Sequence, residues 1–246
     1  MASTPTAQAP ESIGAVGRLT GVLFAPRPTF TDIARRPSWL APIILICLVN
    51  LAITAIFGQR VGWRSFMEKK LDENPRAQQM TADQREQQLA IMVKSAPIVG
   101  YCFGLLGFPI VALIAAGVLL GAFNAMASAN LNFKTAFGIT THAFLPGFIG
   151  GLLGILILYL KDPATIDIEH LVATNLGAVV PDHAAKWLVA LASSIDLFTF
   201  WVIALLAIGF SAANPKKLST GRAAGIIIVI WAIIVVIRVG IAAAFS

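Results

Sequence analysis

Charge is what this 246-residue sequence has least of, with 12% Asp, Glu, Lys or Arg against about 25% in an ordinary soluble domain. Between Lys94 and Lys134, and again between Lys134 and Lys161, there is none at all. Helices of that length in a water-soluble domain need charged outer faces, so these runs exclude such a fold and call for a lipid environment. Cysteine is nearly absent: Cys47 and Cys102 both fall inside apolar runs, which excludes a disulfide framework and makes them small buried apolar residues. The polar start, Met1 to Pro10, lacks a basic region followed directly by an apolar core, so a cleavable signal peptide is not expected and the first span serves as an uncleaved signal anchor.

Catalytic signatures are missing as well. There is no HExxH, no GxSxG and no second carboxylate inside a span to share acid–base work with Asp196. Ser219, Thr220, Gly221 and Arg222 follow Lys216 and Lys217 without the phosphate-loop spacing, and read as a basic inside turn. An enzyme is not expected, nor a cofactor. The formal charge of +6 is spread over short segments flanking apolar runs, without a basic patch interleaved with aromatics. The expected partners are therefore the lipid bilayer and proteins or further copies of the chain, not nucleic acid.

What is present is hydrocarbon, with 57% hydrophobic residues. Five apolar segments, at about 40–58, 97–126, 135–160, 188–210 and 223–245, are each near the roughly 20 residues that cross about 30 Å of hydrocarbon. The expected fold is an all-α, polytopic membrane helical bundle of five spans with interfacial amphipathic helices. Residues 1–12 form a disordered tail, 13–39 a cytoplasmic interfacial segment and 40–246 the membrane domain.

Orientation follows from the short flanking segments. Arg18, Arg27, Arg35 and Arg36 precede the first span, Lys134 follows the second, and Lys216, Lys217 and Arg222 follow the fourth. On the other side, Lys161 and Lys186 are set against Asp162, Asp167, Glu169 and Asp182. That asymmetry predicts a cytoplasmic N-terminus, with the long mixed-charge first loop and the C-terminus outside.

Ile13, Val16, Thr20, Leu23 and Phe24 recur at helical spacing before Pro26 and Pro28, and a second short helix is expected around Phe30 to Arg36. These two pieces lie on the inner leaflet or pack under the bundle. Thr81 and Gln84 have capping-box spacing, which predicts a helix leading into the second span. Ile166, Ile168, Leu171, Val172, Leu176 and Val179 predict an amphipathic stretch at the outer interface.

The second and third expected spans carry glycines four residues apart: Gly100 and Gly104, Gly117 and Gly121, Gly147 and Gly151, Gly150 and Gly154. Missing side chains at that interval let helix backbones approach, so these spans are expected to pack on one another, in preference to self-dimerisation. Pro109 and Pro146 are expected to kink them. Asp196 and Arg238, the charged residues well inside expected spans, are assigned similar depth on antiparallel neighbours and are expected to form an ion pair, as a structural lock or, alternatively, part of an ion or proton relay. Asn124 and His142 fall near Asn130, Thr140 and Thr141 toward the inner leaflet, where they line a polar cavity or hydrogen-bond between helices. Asp162, Asp167, Glu169, His170, Asp182 and His183 have ligand chemistry but no metal-site spacing, and no metal is expected there.

Three stretches resemble one family. RLTGVLFAPRPTF from Arg18 runs on as DIARRPSWLAPII from Asp32; MTADQREQQLAIMVKSAPIVGY starts at Met80; NLNFKTAFGITTHAFLPGFIGGLLGI starts at Asn130. In this pattern of amphipathic segment, Pro-containing turn, Arg-Pro-x-Trp entry and Phe-Lys-led span, the chain resembles the Yip family of Ypt-interacting membrane proteins, in its prokaryotic branch. The resemblance implies a five-helix membrane domain with a cytoplasmic N-terminus. Eukaryotic relatives associate with Rab-type GTPases, a role not expected here because this short N-terminal segment lacks a sizeable cytosolic region. The resulting expectation is a non-enzymatic scaffold, adaptor or membrane-organising protein of a bacterial inner membrane; the alternative is a small transporter or channel using Asp196, Arg238, His142 and Asn124.

Overall fold

The computed structural model describes residues 12–74, 76–166, 171–181 and 184–244. The expected disordered tail lies outside them. Ten α-helices occur among the described residues: α1 Ala15–Phe24, α2 Pro26–Arg35, α3 Leu40–Arg60, α4 Trp63–Asp72, α5 Ala82–Ala127, α6 Phe133–Ala143, α7 Pro146–Leu160, α8 Lys186–Ser194, α9 Leu197–Ala213 and α10 Thr220–Ala244. The fold is an all-α bundle. Ile98, Phe103, Ile110 and Ile114 on α5, and Ile233, Val236 and Ile237 on α10, stand exposed. Rows of unpartnered aliphatic side chains over several turns face lipid, and the chain is an integral membrane protein.

Four helical segments are long and apolar enough to cross a membrane: α3, α5, α6 and α7 taken together over Phe133–Leu160, and α10. The count of five is therefore corrected. The expected fourth span is broken at Ile195 and Asp196 into α8 and α9, and α9 has 17 residues, about 25 Å of helix. The cause is local. Ile195 leaves the helical region at φ −92° and ψ 86°, and Asp196 is extended at φ −127° and ψ 138°, so the aspartate begins a helix instead of sitting within one. Both pieces pack along α10.

The capping box is present, with Gln84 N donating to Thr81 Oγ1 at 3.3 Å and Thr81 N to Gln84 Oε1 at 3.0 Å. It starts α5, whose 46 residues extend about 69 Å and run through Pro97 and Pro109. That length exceeds the hydrocarbon, so the charged first turns project beyond it. There they pack with α4 through Leu71, Ala77 and Leu89, and are tied to it by Arg64 with Glu86 and by Arg85 with Asp72. Gly62, at φ 81°, turns the chain from α3 into α4 in a conformation that a side chain would strain. Pro146 opens α7 after a break at Phe144 and Leu145, consistent with the expected kink there.

Glycine packing differs from the expectation. Gly104 faces Leu51, Thr54 and the Asn50 backbone, Gly100 faces Trp63 and Thr54, and Gly151 faces Val49, so the glycine faces of α5 and α7 close on α3; the second and third expected spans do pack on one another, but through α5 and α6, with Ala112 and Ala116 against Phe137. Gly150 meets Phe198 and Gly154 meets Leu171, whereas Gly117, Gly121 and Gly147 have open space where a Cβ would stand. The reason is the position of α3, which lies between the two glycine-bearing helices; Cys47 Sγ donates to Leu105 O at 3.2 Å across one of these seams. The outer amphipathic stretch also differs: its described residues form the short 3-10 turns Pro163–Thr165 and Leu176–Val179, while Leu171 packs on the Phe57 and Leu158 cluster. Ile168 lies outside the described residues.

The largest core sits at the end of the bundle that holds the N-terminal helices, where Val22, Phe30 and Ile33 of α1 and α2 interlock with Phe123, Ile139 and Phe210. The N-terminal helices are thus built into the bundle as well as lying against its end.

Candidate functional site

The most densely bonded polar centre is formed by the N-terminal helices. Pro26 stops α1 and starts α2, so the two run as a hairpin in which Arg18 and Asp32 meet. Arg18 Nε and Nη2 both reach Asp32 Oδ2, at 2.8 and 2.7 Å; Nη1 donates to Arg36 O at 2.9 Å and Ser38 Oγ at 2.6 Å. Arg18 is only 6% exposed. A buried guanidinium requires this near-complete set of acceptors, because its desolvation is otherwise uncompensated.

Ser38 is brought to the site by a close approach: a Cβ on Gly138 of α6 would lie 3.0 Å from Ser38 O, so that glycine admits the α2–α3 linker against α6. One turn on, His142 is fully buried. Its Nδ1 lies 2.8 Å from Gly138 O, which requires the proton on Nδ1 and leaves Nε2 as an acceptor; Nε2 and Thr140 Oγ1 are buried without hydrogen-bond partners. Asn124 is engaged elsewhere. Its amide donates to Leu131 O at 3.0 Å and accepts from Leu131 N at 2.8 Å, closing the α5–α6 turn in which Ser128 and Asn130 take positive φ. Asn124 and His142 thus serve separate local bonds and share none.

The second polar centre lies toward the opposite end of the bundle. Asp196 caps α9, its Oδ2 accepting from Thr199 N at 2.8 Å and Thr199 Oγ1 at 3.2 Å, and its Oδ1 accepting from Thr174 Oγ1 at 2.7 Å. Backbone bonds from Leu176 N to Ile195 O and from Leu197 N to Thr174 O pin the outer loop into the α8–α9 break. Asn175 Oδ1 and Ser193 Oγ beside it are buried without partners.

The expected pairing of Asp196 with Arg238 does not form. Arg238 is exposed in the C-terminal half of α10 and has no ion-pair partner among the described residues, while the carboxylate is satisfied by the hydroxyls of Thr174 and Thr199 and by the Thr199 N–H in the first turn of α9. A helix N-terminus stabilises a carboxylate without a cation, and a long Arg near a span end reaches the headgroups. Asp196→Ala is expected to lower stability by about 1–2 kcal/mol, and Arg238→Gln to change it by less than about 0.5 kcal/mol. Thermal unfolding of both singles and the double variant in detergent measures this, and a coupling above about 1 kcal/mol would restore the pair.

A cavity of about 490 Å³ between α5, α9 and α10 reaches Asp196 and Thr199, but its remaining lining, including Val111, Phe144, Ile203 and Trp231, is apolar and His142 is not part of it. A second, of about 430 Å³, lies between α3, α4 and α5 and is lined by Asn50, Thr54 and Trp63 among others. Asp167, Glu169, His170, Asp182 and His183 of the outer loop lie outside the described residues. Sequence reasoning missed the Arg18–Asp32 pair; the 14-residue separation hides it, although the one acid among the arginines of residues 13–39 is the available signal.

A family model described as the Yip1 domain matches residues 20–241. No curated protein and no solved structure matches the chain.

Proposed function

Because this chain belongs to the Yip1 domain family, whose model covers nearly all of it, we propose that it is a non-enzymatic membrane scaffold, adaptor or membrane-organising protein. The observation that carries this reading is how the buried polar groups are used. Arg18, Asp32, Asn124 and Asp196 each bond to local protein groups, and the cavity at Asp196 is apolar where a solute path to His142 would have to be polar. The exposed apolar faces of α5 and α10 offer lipid or a partner helix long contact surfaces. In this reading the chain resides in a bacterial inner membrane with its N-terminus and the Lys216 to Arg222 loop in the cytoplasm, supported by the charge asymmetry.

Photo-crosslinking from Phe24 and Ile233 in native membranes tests it. A defined protein adduct, either a second copy or one recurring partner, is the expected result, with Ser219→Cys labelled only from the cytoplasmic side. The transporter reading is favoured by one feature, the broken helix at Asp196 with the nearby unpartnered Asn175 and Ser193 oxygens, since interrupted spans can hold ions at helix ends. Solute or proton flux in proteoliposomes, lost on Asp196→Asn, combined with lipid-only adducts, would replace the scaffold by that alternative.

A further inference from the structure

At the inner end of the bundle a pocket of about 360 Å³ opens between α2 and the last turn of α9, lined by Arg27, Thr31 and Arg35 on one side and by Ser211, Ala213 and Pro215 on the other. Arg27, Thr31 and Arg35 are spaced four residues apart and so share one face of α2. The opposite face carries Thr29, Phe30 and Ile33 into the core, which fixes how α2 is rotated and aims both arginines at the pocket. Among the described residues, neither guanidinium has a hydrogen-bond or ion-pair partner. Thr31 Oγ1 donates to Arg27 O and Ser211 Oγ to Leu218 O, so the donors left for a ligand are the two guanidinium forks.

The surroundings specify an anion. Arg36, Lys134, Lys216, Lys217 and Arg222 lie on the same end of the molecule, and the one acid described there, Asp32, is taken by Arg18. The depth specifies a lipid. The pocket lies where apolar α9 ends at Ala213, the level of the headgroups, and Phe24, 86% exposed at the end of α1, precedes Arg27 by three residues. An aromatic ring able to enter the acyl layer beside paired arginines is the arrangement of an interfacial lipid contact. We propose that this pocket binds the phosphate of an anionic phospholipid from the cytoplasmic leaflet, with Arg27 and Arg35 each donating to its oxygens. The proposal is independent of whether the protein acts as a scaffold or a transporter.

The test is thermal unfolding of the purified full chain in detergent, titrated with phosphatidylglycerol, phosphatidylcholine or glycerol phosphate. Phosphatidylglycerol is expected to raise the midpoint saturably, as any ligand of the folded state does, while the other two leave it unchanged. R27Q/R35Q is expected to weaken that response about tenfold or more, since two charge-assisted hydrogen-bonding groups are lost. K134Q/R36Q, which removes the same formal charge from the same end outside the pocket, retains it. An equal response to phosphatidylcholine, an equal response to glycerol phosphate, or an equal loss in K134Q/R36Q would each overturn the proposal: the first denies headgroup selection, the second makes this a free-anion site and the third makes the effect diffuse charge. If R27Q/R35Q is not recovered folded, R35Q alone is titrated in the same way, and an unaltered phosphatidylglycerol response overturns the site.

Discussion

Arg18→Gln is expected to destabilise the protein by about 3–5 kcal/mol, because it leaves the largely buried Asp32 carboxylate without its cation. Asp32→Asn is expected to have a comparable effect from the other side, stranding a guanidinium that is almost fully buried. The penalty arises from the unpaired charge and not from the lost attraction itself, so a double replacement by apolar residues of similar size, Arg18→Met with Asp32→Leu, should recover much of the loss. Ser38→Ala removes one of four acceptor contacts and should cost about 1 kcal/mol. Thermal unfolding in detergent supplies all four values. Limited proteolysis supplies the structural readout, since loss of the pair should free the α1–α2 hairpin and expose the chain near Ala25. Single variants within about 0.5 kcal/mol of the parent would mean that the hairpin is held by its apolar face alone.

That hairpin marks the boundary of what the sequence makes legible. Charge-free runs and the Thr81 capping box are local signals, and they point to the membrane class, the long helices and the start of α5. Asp196 was recognisable as an unusual intramembrane acid, but whether it sits inside a span or begins a helix depends on the backbone turn at Ile195, which no periodicity reveals. Equal depth on neighbouring spans therefore suggested a pair with Arg238 that the capping bonds make unnecessary. The glycine spacings mark close approach at Gly104 and Gly151, and the second and third expected spans do meet, through α5 and α6; but a GxxxG interval states only that one face is small, and the three-dimensional order of helices places α3 against both glycine faces. Arg18 and Asp32 are joined by tertiary folding of two short helices, a relation for which single-sequence patterns have no period.

The same limit hides the glycine at which substitution should be most damaging. Gly209, on α9, lies where α2 and α6 converge: a Cβ there would be 2.5 Å from Ile139 Cγ2 and 3.0 Å from Phe30 Cδ1. Ile139 and Phe30 are fully buried in the inner core, so neither can move aside without displacing Val22, Phe123 or Phe210 around them. Gly209→Leu should therefore cost about 3 kcal/mol or more, the upper range for overpacking, and should push α2 off the bundle. Gly209→Ala should already be harmful, whereas Gly117→Leu, with open space at its Cβ position, should change stability by less than about 0.5 kcal/mol. Unfolding midpoints of the three variants in one detergent make the comparison. Equal tolerance at Gly209 and Gly117 would mean that α2 is not seated between α6 and α9, and would remove the geometry on which both the Arg18 latch and the arginine-lined pocket depend.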